Sequence, residues 1–419
     1  MSPRATGCVA DLVCLLCGRH VPDGNVQTCP VCGVAGILDV RYDYDRVART
    51  LTSGSLAERS RDHWRYAELL PVAPGAAKPR LHIGWTPVYE VPRLAKEVGA
   101  GRLLLKDDGR NPTGSFKDRA SSVAVMKALE FSASTVACAS TGNAASSLAG
   151  LSASVGIRSV IFLPERAPEP KITQLLVFGA TVVKVRGTYE QAFELCRSAC
   201  ERFGWYNRNS GTNPFCVEGK KTAGLEIAEQ FGPAVPDWVV VSVGDGCTIG
   251  GIGKGLEEMH RLGFIPRVPR LLGVQAEGAR PVVNAFESGS DLVPASADTI
   301  ADSIAVGTPR NWRRALACIK KSGGSMIAVP DGEILDAIRI TARLGGVFGE
   351  PAGVAGVAGV RKGRASGVIG GDESVLVVIT GNGLKDIDSA RRAAGEPISI
   401  DPEISSLENA LTERGVTFP

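Results

Sequence analysis

Short apolar runs alternate with helix-length segments through the middle of the chain, and this alternation constrains the fold more than any other feature. Strand-like runs cover residues 159–163 and 181–185, and each is followed by a helix-like segment, at 168–178 and 189–203. Parallel strands need crossover connections of this kind, whereas antiparallel strands do not. The alternation therefore predicts an α/β fold in which helices pack on the faces of a parallel sheet.

Composition limits the class of protein. Of 419 residues, 44% are hydrophobic and 22% are charged, and 50 are glycines gathered in loops between apolar runs. A formal charge of +3 is too small to indicate nucleic-acid binding, and no apolar run approaches the roughly 18 residues of a membrane helix. Asp11 interrupts the short apolar stretch near the N-terminus, so we expect no signal peptide and a cytoplasmic protein. Its 11 cysteines should then be thiols or metal ligands.

Four of these cysteines form two CxxCG pairs near the N-terminus. Cys14 and Cys17 belong to the first pair and Cys29 and Cys32 to the second, with 11 residues between the pairs. Each pair can direct two thiolates at one ion, and the glycine after it permits a tight turn. Two pairs make a tetrahedral set with no open position, which predicts a structural Zn²⁺ ribbon over residues 1–40. An empty or oxidised ribbon is the alternative.

The stretch from Asn111 to Arg119 joins a turn to the start of a helix. A strand-like run at 103–105 precedes it, and a run of small and apolar residues follows it. Proline fixes φ, glycine allows a bound group to approach, and Ser115 is a candidate N-cap. Lys117 would lie in the first helical turn, where the free N–H groups favour the neutral amine. Such an amine suits Schiff-base chemistry, and a solvated surface lysine is the alternative.

Two further strand–turn–helix units have turns suited to anions. A strand-like run at 134–139 ends at a hydroxyl- and glycine-rich turn, residues 140–147, and a run at 237–243 leads into the glycine-rich residues 244–251. Backbone N–H groups at such helix starts can bind carboxylates or phosphates. A simple capped loop is the alternative for the first turn. For the second turn the alternative is a dinucleotide-binding site. Its glycines do not have the GxGxxG spacing, however, and no acidic residue follows at the usual distance.

Together these segments resemble the threonine synthase family, a group of fold-type II enzymes that use pyridoxal phosphate. The resemblance covers most of residues 81–386. It implies an α/β fold like that of the tryptophan synthase β subunit, with two three-layer domains after the ribbon and the cofactor in the cleft between them. Residues 41–120 and 214–419 would form the large cofactor-binding domain, and residues 121–213 the small domain. The resemblance also implies a homodimer.

The same resemblance assigns roles to single residues. Lys117 would carry the cofactor and act as the catalytic base for the α-proton, and Thr380 would face the pyridine nitrogen. The cofactor's phosphate would lie in a cup formed by Gly244, Asp245, Gly246, Cys247 and Thr248. The substrate's carboxylate would be held by Ser140, Thr141, Gly142 and Asn143, of which Asn143 would also contact the cofactor's phenolic oxygen. A neutral hydroxyl at the ring nitrogen favours elimination and replacement over transamination.

Residues 218–222, Glu-Gly-Lys-Lys-Thr, also resemble the family. We expect them to open a long helix that continues through Gln230. Within this string, Lys220 and Lys221 are expected to be surface or structural lysines rather than catalytic ones.

The implied reaction is that of a lyase in amino-acid biosynthesis: phosphate is eliminated from O-phosphohomoserine and water is added at the β-carbon, giving threonine. One departure concerns the substrate, a phosphorylated amino acid. Some family members have a phosphate-binding arginine shortly after the Asn-Pro that corresponds to Asn213-Pro214, and this chain has Cys216 there. The alternatives are a β-replacement enzyme such as cysteate synthase, which uses O-phosphoserine and sulfite, and a threonine or serine dehydratase. A zinc-ribbon binding protein with a vestigial enzyme domain is a different class, against which the intact motifs argue.

Overall fold

The computed structural model describes residues 7–76, 78–165 and 169–416. The domains expected from the sequence also include residues 1–6, 77, 166–168 and 417–419, which lie outside the described residues. The strands are β1 (Val9–Cys14), β2 (His20–Val21), β3 (Thr28–Cys29), β4 (Gly33–Tyr42), β5 (Val88–Glu90), β6 (Arg102–Asp107), β7 (Thr135–Ala139), β8 (Arg158–Pro164), β9 (Thr181–Val185), β10 (Tyr206–Asn207), β11 (Trp238–Ser242), β12 (Arg270–Ala276), β13 (Ser325–Val329) and β14 (Ser374–Ile379).

The helices are α1 (Tyr44–Thr50), α2 (Ser53–Ala57), α3 (Pro92–Val98), α4 (Lys117–Glu130), α5 (Asn143–Val155), α6 (Glu169–Val177), α7 (Tyr189–Phe203), α8 (Pro214–Phe231), α9 (Cys247–Arg261), α10 (Pro281–Ser288), α11 (Trp312–Lys321), α12 (Asp331–Gly345), α13 (Pro351–Ala365), α14 (Ile387–Ala394) and α15 (Ile404–Glu413). Among these described helices, none combines the length and the apolar character needed to cross a membrane.

The N-terminal strands form a small antiparallel sheet in the order β2-β1-β4-β3. Strand β1 pairs with β4 so that Cys14 lies opposite Leu38, and β3 pairs with β4 so that Cys29 lies opposite Gly33. This register brings both cysteine pairs to one end of the sheet. Strand β4 continues to Tyr42, past residue 40, and its buried Leu38 and Val40 belong to the main hydrophobic core. The ribbon is thereby packed against the rest of the chain.

The largest sheet has six strands in the order β13-β12-β11-β14-β6-β5. Five of them are parallel, and β5 is an antiparallel edge strand. Alternate residues of β11 face opposite sides, because Val239 and Val241 belong to one core cluster and Val240 to the other. Helix α13 covers the side of Val240, and α9 and α11 cover the opposite side. Both faces are buried, which gives the three layers expected from the sequence.

A second sheet is wholly parallel, in the order β10-β7-β8-β9. Phe162 of β8 packs with Phe193 of α7 on one face, and Ile161 packs with residues of α5 on the other. The alternation expected over residues 159–203 is confirmed as β8, α6, β9 and α7. Pro168, the first residue of the helix expected there, lies outside the described residues.

Two helix starts differ from the expectation. Helix α8 begins at Pro214, because Asn213 Oδ1 caps it by accepting the N–H of Phe215 at 3.0 Å and proline occupies the first helical position. Residues 218–222 therefore continue a helix rather than open one. The N-cap predicted at Ser115 is also wrong: Phe116 precedes α4, and Ser115 Oγ accepts only a long bond, 3.4 Å, from the N–H of Lys117.

Candidate active site

Short-range bonds fix the turn that leads to Lys117. Thr113 donates its N–H, at 2.7 Å, and its hydroxyl to the carboxylate of Asp118, which closes the turn ahead of α4. The N–H of Phe116 donates to the carbonyl oxygen of Thr380 at 2.9 Å. This bond joins the start of α4 to the end of β14, so Lys117 and Thr380 lie at the same edge of the large sheet.

A cavity of about 1010 Å³ opens at this edge, where β7 and β8 of the small sheet and β11 and β14 of the large sheet end. Ligands of open α/β sheets bind at such carboxyl edges, and the volume suits a cofactor together with a small substrate. The cavity is lined by all the residues for which the sequence predicted a cofactor or substrate role: Lys117, Ser140, Thr141, Gly142, Asn143, Gly244, Asp245, Gly246, Cys247, Thr248 and Thr380. The structure thus brings together four segments that are distant in the sequence.

The surroundings of Lys117 lower the pKa of its amine to about 8. Burial is the main cause, the positive charges of Lys220 and Arg208 add to it, and Glu350 opposes it. A large fraction of the amine is therefore neutral near pH 8, and the neutral amine is the form that attacks a carbonyl carbon.

The turn between β11 and α9 forms a cup of backbone. Gly246 has a φ of +92°, and a Cβ there would lie 2.7 Å from the carbonyl oxygen of Asn311. A Cβ at Gly244 would lie 3.0 Å from the Cα of Ile304. Gly246 has no room for a side chain and Gly244 has little, and the first residues of α9, whose N–H groups have no helical partner, line the cavity. The cup fits a phosphate group.

Two residues of the cup have side chains that bind other parts of the protein. The carboxylate of Asp245 accepts the N–H of Arg310 at 2.7 Å and the thiol of Cys247 at 3.0 Å. Burial raises the pKa of Cys247 to about 12, so this thiol stays protonated and is a poor nucleophile. Asp245 thus fixes the segment at Arg310 against the cup, and backbone groups remain to face an anion.

Asn143, the first residue of α5, is held by a carboxylate that the sequence analysis did not single out. Its Nδ2 donates to Glu350 at 2.7 Å and to Ser303 Oγ at 3.3 Å. Glu350 is buried directly before α13, and a Cβ at Gly381 would lie 2.5 Å from its carboxylate oxygen. The available sequence signal was an acidic residue next to a helix of small apolar residues, since such a charge is rarely buried without a partner.

Two cations in the cavity wall were also missed. Arg208, just after β10, and Lys220, on α8, are buried and line the cavity. Lys221 is buried as well, with ion pairs to Glu218 at 2.6 Å and to Glu258 at 2.9 Å. The expectation of a surface position is therefore wrong for both lysines, and only Lys221 has the contacts of a structural lysine.

A buried ion network lies beneath the Lys117 turn. Arg119 of α4 donates through Nε to Asp108 at 2.6 Å and through Nη2 to Glu226 at 2.8 Å. Lys106 of β6 lies 3.0 Å from Glu226. All four side chains are fully buried. The network ties β6, α4 and α8 together and so fixes the elements that carry the lysine.

The four ribbon cysteines converge on one point. Their sulfur atoms all lie within 4.8 Å of one another, and those of Cys17 and Cys29 are 3.8 Å apart. With Zn–S bonds of about 2.3 Å, tetrahedral sulfurs lie about 3.8 Å apart. The N–H of Cys32 lowers the pKa of Cys29 to about 7, while the hydrogen bond with Cys17 raises that of Cys32 to about 12. Clustered thiolates repel one another, and a divalent cation would relieve this repulsion, so the donor set fits a tetrahedral metal.

The ribbon also reaches the cavity. Val34 of β4, two residues after Cys32, lines the cavity wall. Asp39 of the same strand forms ion pairs with Lys254 of α9, at 3.0 Å, and with Arg314 of α11. The cysteine cluster, one wall of the cavity and the helix that follows the cup are therefore connected through a single strand.

Comparison with known proteins assigns the family. Residues 79–381 match the family model described as pyridoxal-phosphate dependent enzyme. The threonine synthase of Methanocaldococcus jannaschii is 40% identical over 404 residues, which are 96% of this chain and 99% of that protein. That of Methanosarcina acetivorans is 41% identical over 404 residues, 96% of this chain and 98% of that protein. The chain belongs to the threonine synthase family.

Solved structures agree with this membership at the level of fold. Threonine deaminase isoform 2 from Solanum lycopersicum has a TM-score of 0.64 and 22% identity, covering 74% of this chain and 87% of that one. Maize serine racemase has a TM-score of 0.63 and 20% identity, covering 79% of this chain and 94% of that one. These neighbours confirm the fold-type II α/β class, and the threonine synthase relatives confirm the prediction of a pyridoxal phosphate-dependent enzyme that acts on amino acids.

Proposed function

We propose that the protein is a threonine synthase that releases phosphate from O-phosphohomoserine and adds water to give threonine. The observation that carries the proposal is one cavity in which a lysine of lowered pKa, a phosphate-sized backbone cup and the loop at residues 140–143 meet. The extent of the similarity to threonine synthases, 40% identity over 96% of the chain, supports the same reaction.

The residues of the cavity would have different roles in binding the cofactor and in moving the proton. Bound pyridoxal phosphate would supply an electron sink for the carbanion formed at the substrate's α-carbon. Lys117 would hold the cofactor and, once displaced by the substrate's amine, take the α-proton on Nζ. The backbone N–H groups of residues 244–248 would bind the cofactor's phosphate. Thr380 would offer a neutral hydroxyl at the ring nitrogen, which suits elimination better than transamination.

The substrate's carboxylate would bind at Ser140, Thr141 and Gly142, beside the N-terminus of α5. Asn143 would contact the cofactor's phenolic oxygen, and the 2.7 Å bond to Glu350 would fix its amide in the required orientation. Burial of Lys117 in this cavity lowers the pKa of its amine to about 8, so a fraction of the amine is neutral and able to exchange protons with the α-carbon.

The rest of the proposal concerns the assembly. The four ribbon cysteines would hold one structural Zn²⁺, since they form a closed tetrahedral set with no open position. The enzyme would be a homodimer in the cytoplasm, with residues 41–120 and 214–419 as the cofactor-binding domain and 121–213 as the small domain.

The test supplies the purified holoenzyme with O-phosphohomoserine and measures released phosphate and threonine. We expect the two products in equal amounts. Lys117→Ala should lose the violet absorbance band of the bound cofactor and lower turnover by about a thousandfold or more. Lys96→Ala, an exposed lysine on α3, controls for purification and should match the wild type.

A second candidate is a β-replacement enzyme acting on O-phosphoserine, favoured by one observation: Cys216 stands where some family members have a phosphate-binding arginine, and it is buried in the first turn of α8. Parallel assays with O-phosphoserine, with and without sulfite, separate the candidates. Release of phosphate from O-phosphoserine, with none from O-phosphohomoserine, would overturn the threonine synthase proposal.

A further inference from the structure

Arg208 is a buried cation with only neutral partners. It is 1% exposed. Its Nε and Nη2 contact the hydroxyl of Ser121 at 3.1 and 3.0 Å, and its Nη1 contacts that of Ser210 at 2.9 Å. In the described part of the chain no carboxylate lies within ion-pair distance of its guanidinium. The serines orient the side chain but leave its charge uncompensated.

Lys220 is a second cation of this kind. It is 2% exposed, lines the same cavity, and forms no hydrogen bond or ion pair with the described residues. A Cβ on Gly251 of α9 would lie 2.9 Å from its Cβ, so Lys220 lies against the helix that begins at the cup. Its charge acts on Lys117 in the same direction as that of Arg208.

Among the described residues, five other fully or nearly fully buried cations have carboxylate partners. Carboxylates contact each of Lys106, Arg119, Lys221, Lys254 and Arg314. Burying a charge without a partner costs free energy. The unpaired charges of Arg208 and Lys220 are therefore unlike the paired ones and call for an explanation. Both unpaired charges line the cavity, which is the arrangement expected of a site that binds an anion.

Of the three anionic groups that the cavity would hold, only the substrate's phosphate has no binding residues assigned to it so far. The cup offers backbone N–H groups to the cofactor's phosphate, and residues 140–143 are assigned to the substrate's carboxylate. Cys216 cannot replace the missing arginine, since its thiol is buried and donates to the carbonyl oxygen of Arg208 at 3.4 Å. The lining of the cavity, among the described residues, includes Arg208 and Lys220 and not Cys216.

We propose that Arg208 and Lys220 bind the phosphate of the phosphorylated amino-acid substrate, in place of the arginine whose position Cys216 occupies. This inference rests on the proposed function. A guanidinium offers a planar fork of donors and an ammonium a compact charge, so together they can bind two faces of one phosphate.

The test compares Arg208→Gln and Lys220→Gln holoenzymes with the wild type. Each variant should raise KM for the phosphorylated substrate about 10- to 100-fold while changing the Kd of pyridoxal phosphate less than about threefold. Inhibition of the wild type by inorganic phosphate should weaken in parallel. Arg197→Gln is the matched control, because Arg197 lines the same cavity but is paired with Glu194 and Glu201. The KM of the Arg197→Gln enzyme should not change.

Charge-retaining variants cover the case in which a glutamine variant does not fold. Lys220→Arg and Arg208→Lys should keep inhibition by inorganic phosphate within about tenfold of the wild type. A variant that loses pyridoxal phosphate but keeps its KM at saturating cofactor would overturn the inference and assign the cation to the cofactor's phosphate. Unchanged KM and unchanged phosphate inhibition would overturn it as well.

The two proposals fail separately. If no phosphorylated amino acid is turned over, yet inorganic phosphate binds the holoenzyme in a way that depends on Arg208 and Lys220, the proposed function is wrong and the anion site stands. If O-phosphohomoserine gives threonine with the same KM in all the variants, the function stands and the anion site is wrong.

Discussion

The amine of Lys117 titrates near neutral pH because the fold buries it among positive charges. Burial alone disfavours the charged form, and Lys220 and Arg208 disfavour it further, bringing the pKa to about 8 from the ordinary value of 10.5. A group whose pKa is lowered is neutral above the new value and protonated below it. Its reactivity toward an aldehyde should therefore rise with pH through about 8.

The first prediction follows from this titration. In the apoenzyme, the initial rate of borohydride-trapped capture of pyridoxal phosphate should rise from pH 6.5 to a plateau above about pH 8.5. Arg208→Gln should shift the midpoint to higher pH because it removes a positive charge, and Glu350→Gln should shift it to lower pH because it removes a negative one. Arg197→Gln should leave it in place. A midpoint above pH 10 in the wild type would contradict the account.

The second prediction concerns Gly246, whose Cβ would meet the carbonyl oxygen of Asn311. Gly246→Ala should raise the Kd of pyridoxal phosphate at least tenfold, measured by absorbance titration, because the cup must shift to admit the methyl group. Gly367→Ala is the control: its φ of +74° is similarly left-handed, but no atom lies within 4 Å of the added Cβ. Both variants should lose about 1–2 kcal/mol of stability, and only the first should lose cofactor.

Among the secondary-structure elements, β6, α4 and α8 are connected by the buried network of Lys106, Asp108, Arg119 and Glu226. Each charge is compensated, and burial, which raises the pKa of Glu226, is outweighed by Arg119 and Lys106, which hold it well below its ordinary value. The carboxylate therefore stabilises the fold above pH 4.5, and this contribution is lost as the pH falls through the lowered pKa.

The third prediction removes one member of this network. Arg119→Met should lower the free energy of unfolding by about 3–5 kcal/mol, since Asp108 and Glu226 would remain as buried charges without their main partner. Arg102→Gln breaks an exposed pair with Glu90 and should cost less than about 1 kcal/mol. Urea denaturation of the apoenzyme measures both. Equal losses in the two variants would refute the role of the network.

The elements also show what local sequence can reveal. The strands and the lysine turn were predictable because they depend on apolar periodicity and turn residues that lie side by side. Asn213-Pro214, an N-cap followed by proline at the first helical position, is a local signal for the true start of α8, although the sequence analysis placed that start at residues 218–222. The roles of Arg208 and Lys220 were not predictable, because they depend on burial and on the absence of a neighbouring carboxylate, which only tertiary structure decides. The role of Glu350 depends on its contact with Asn143, for which the sequence contained only an indirect signal.

For the molecule as a whole, the link between ribbon and cavity governs how metal loss would propagate. Asp39 connects β4 to α9 and α11 through Lys254 and Arg314, and α9 carries the backbone of the cup at its start. A ribbon this small lacks a core of its own, so a bound metal would supply much of its folding free energy. Loss of the metal should therefore weaken the binding of the cofactor.

The fourth prediction tests this connection. The purified protein should contain about one zinc per chain by elemental analysis. Removal of the metal with a chelator should increase hydrogen exchange in the ribbon and in the first turns of α9, and should speed the release of pyridoxal phosphate. Helix α12, which packs on α3 and α13 and not on the ribbon, is the internal control. Exchange that rises only in residues 7–42 would show that the ribbon unfolds without affecting the cofactor.

Val34 would give a bound metal a second kind of influence. Because this side chain belongs to the cavity wall while Cys32, two positions earlier, belongs to the thiol cluster, a Zn²⁺ held there would influence the shape of the cavity without meeting the reactants. Scarcity of zinc would then loosen one wall of the cavity as well as the retention of the cofactor.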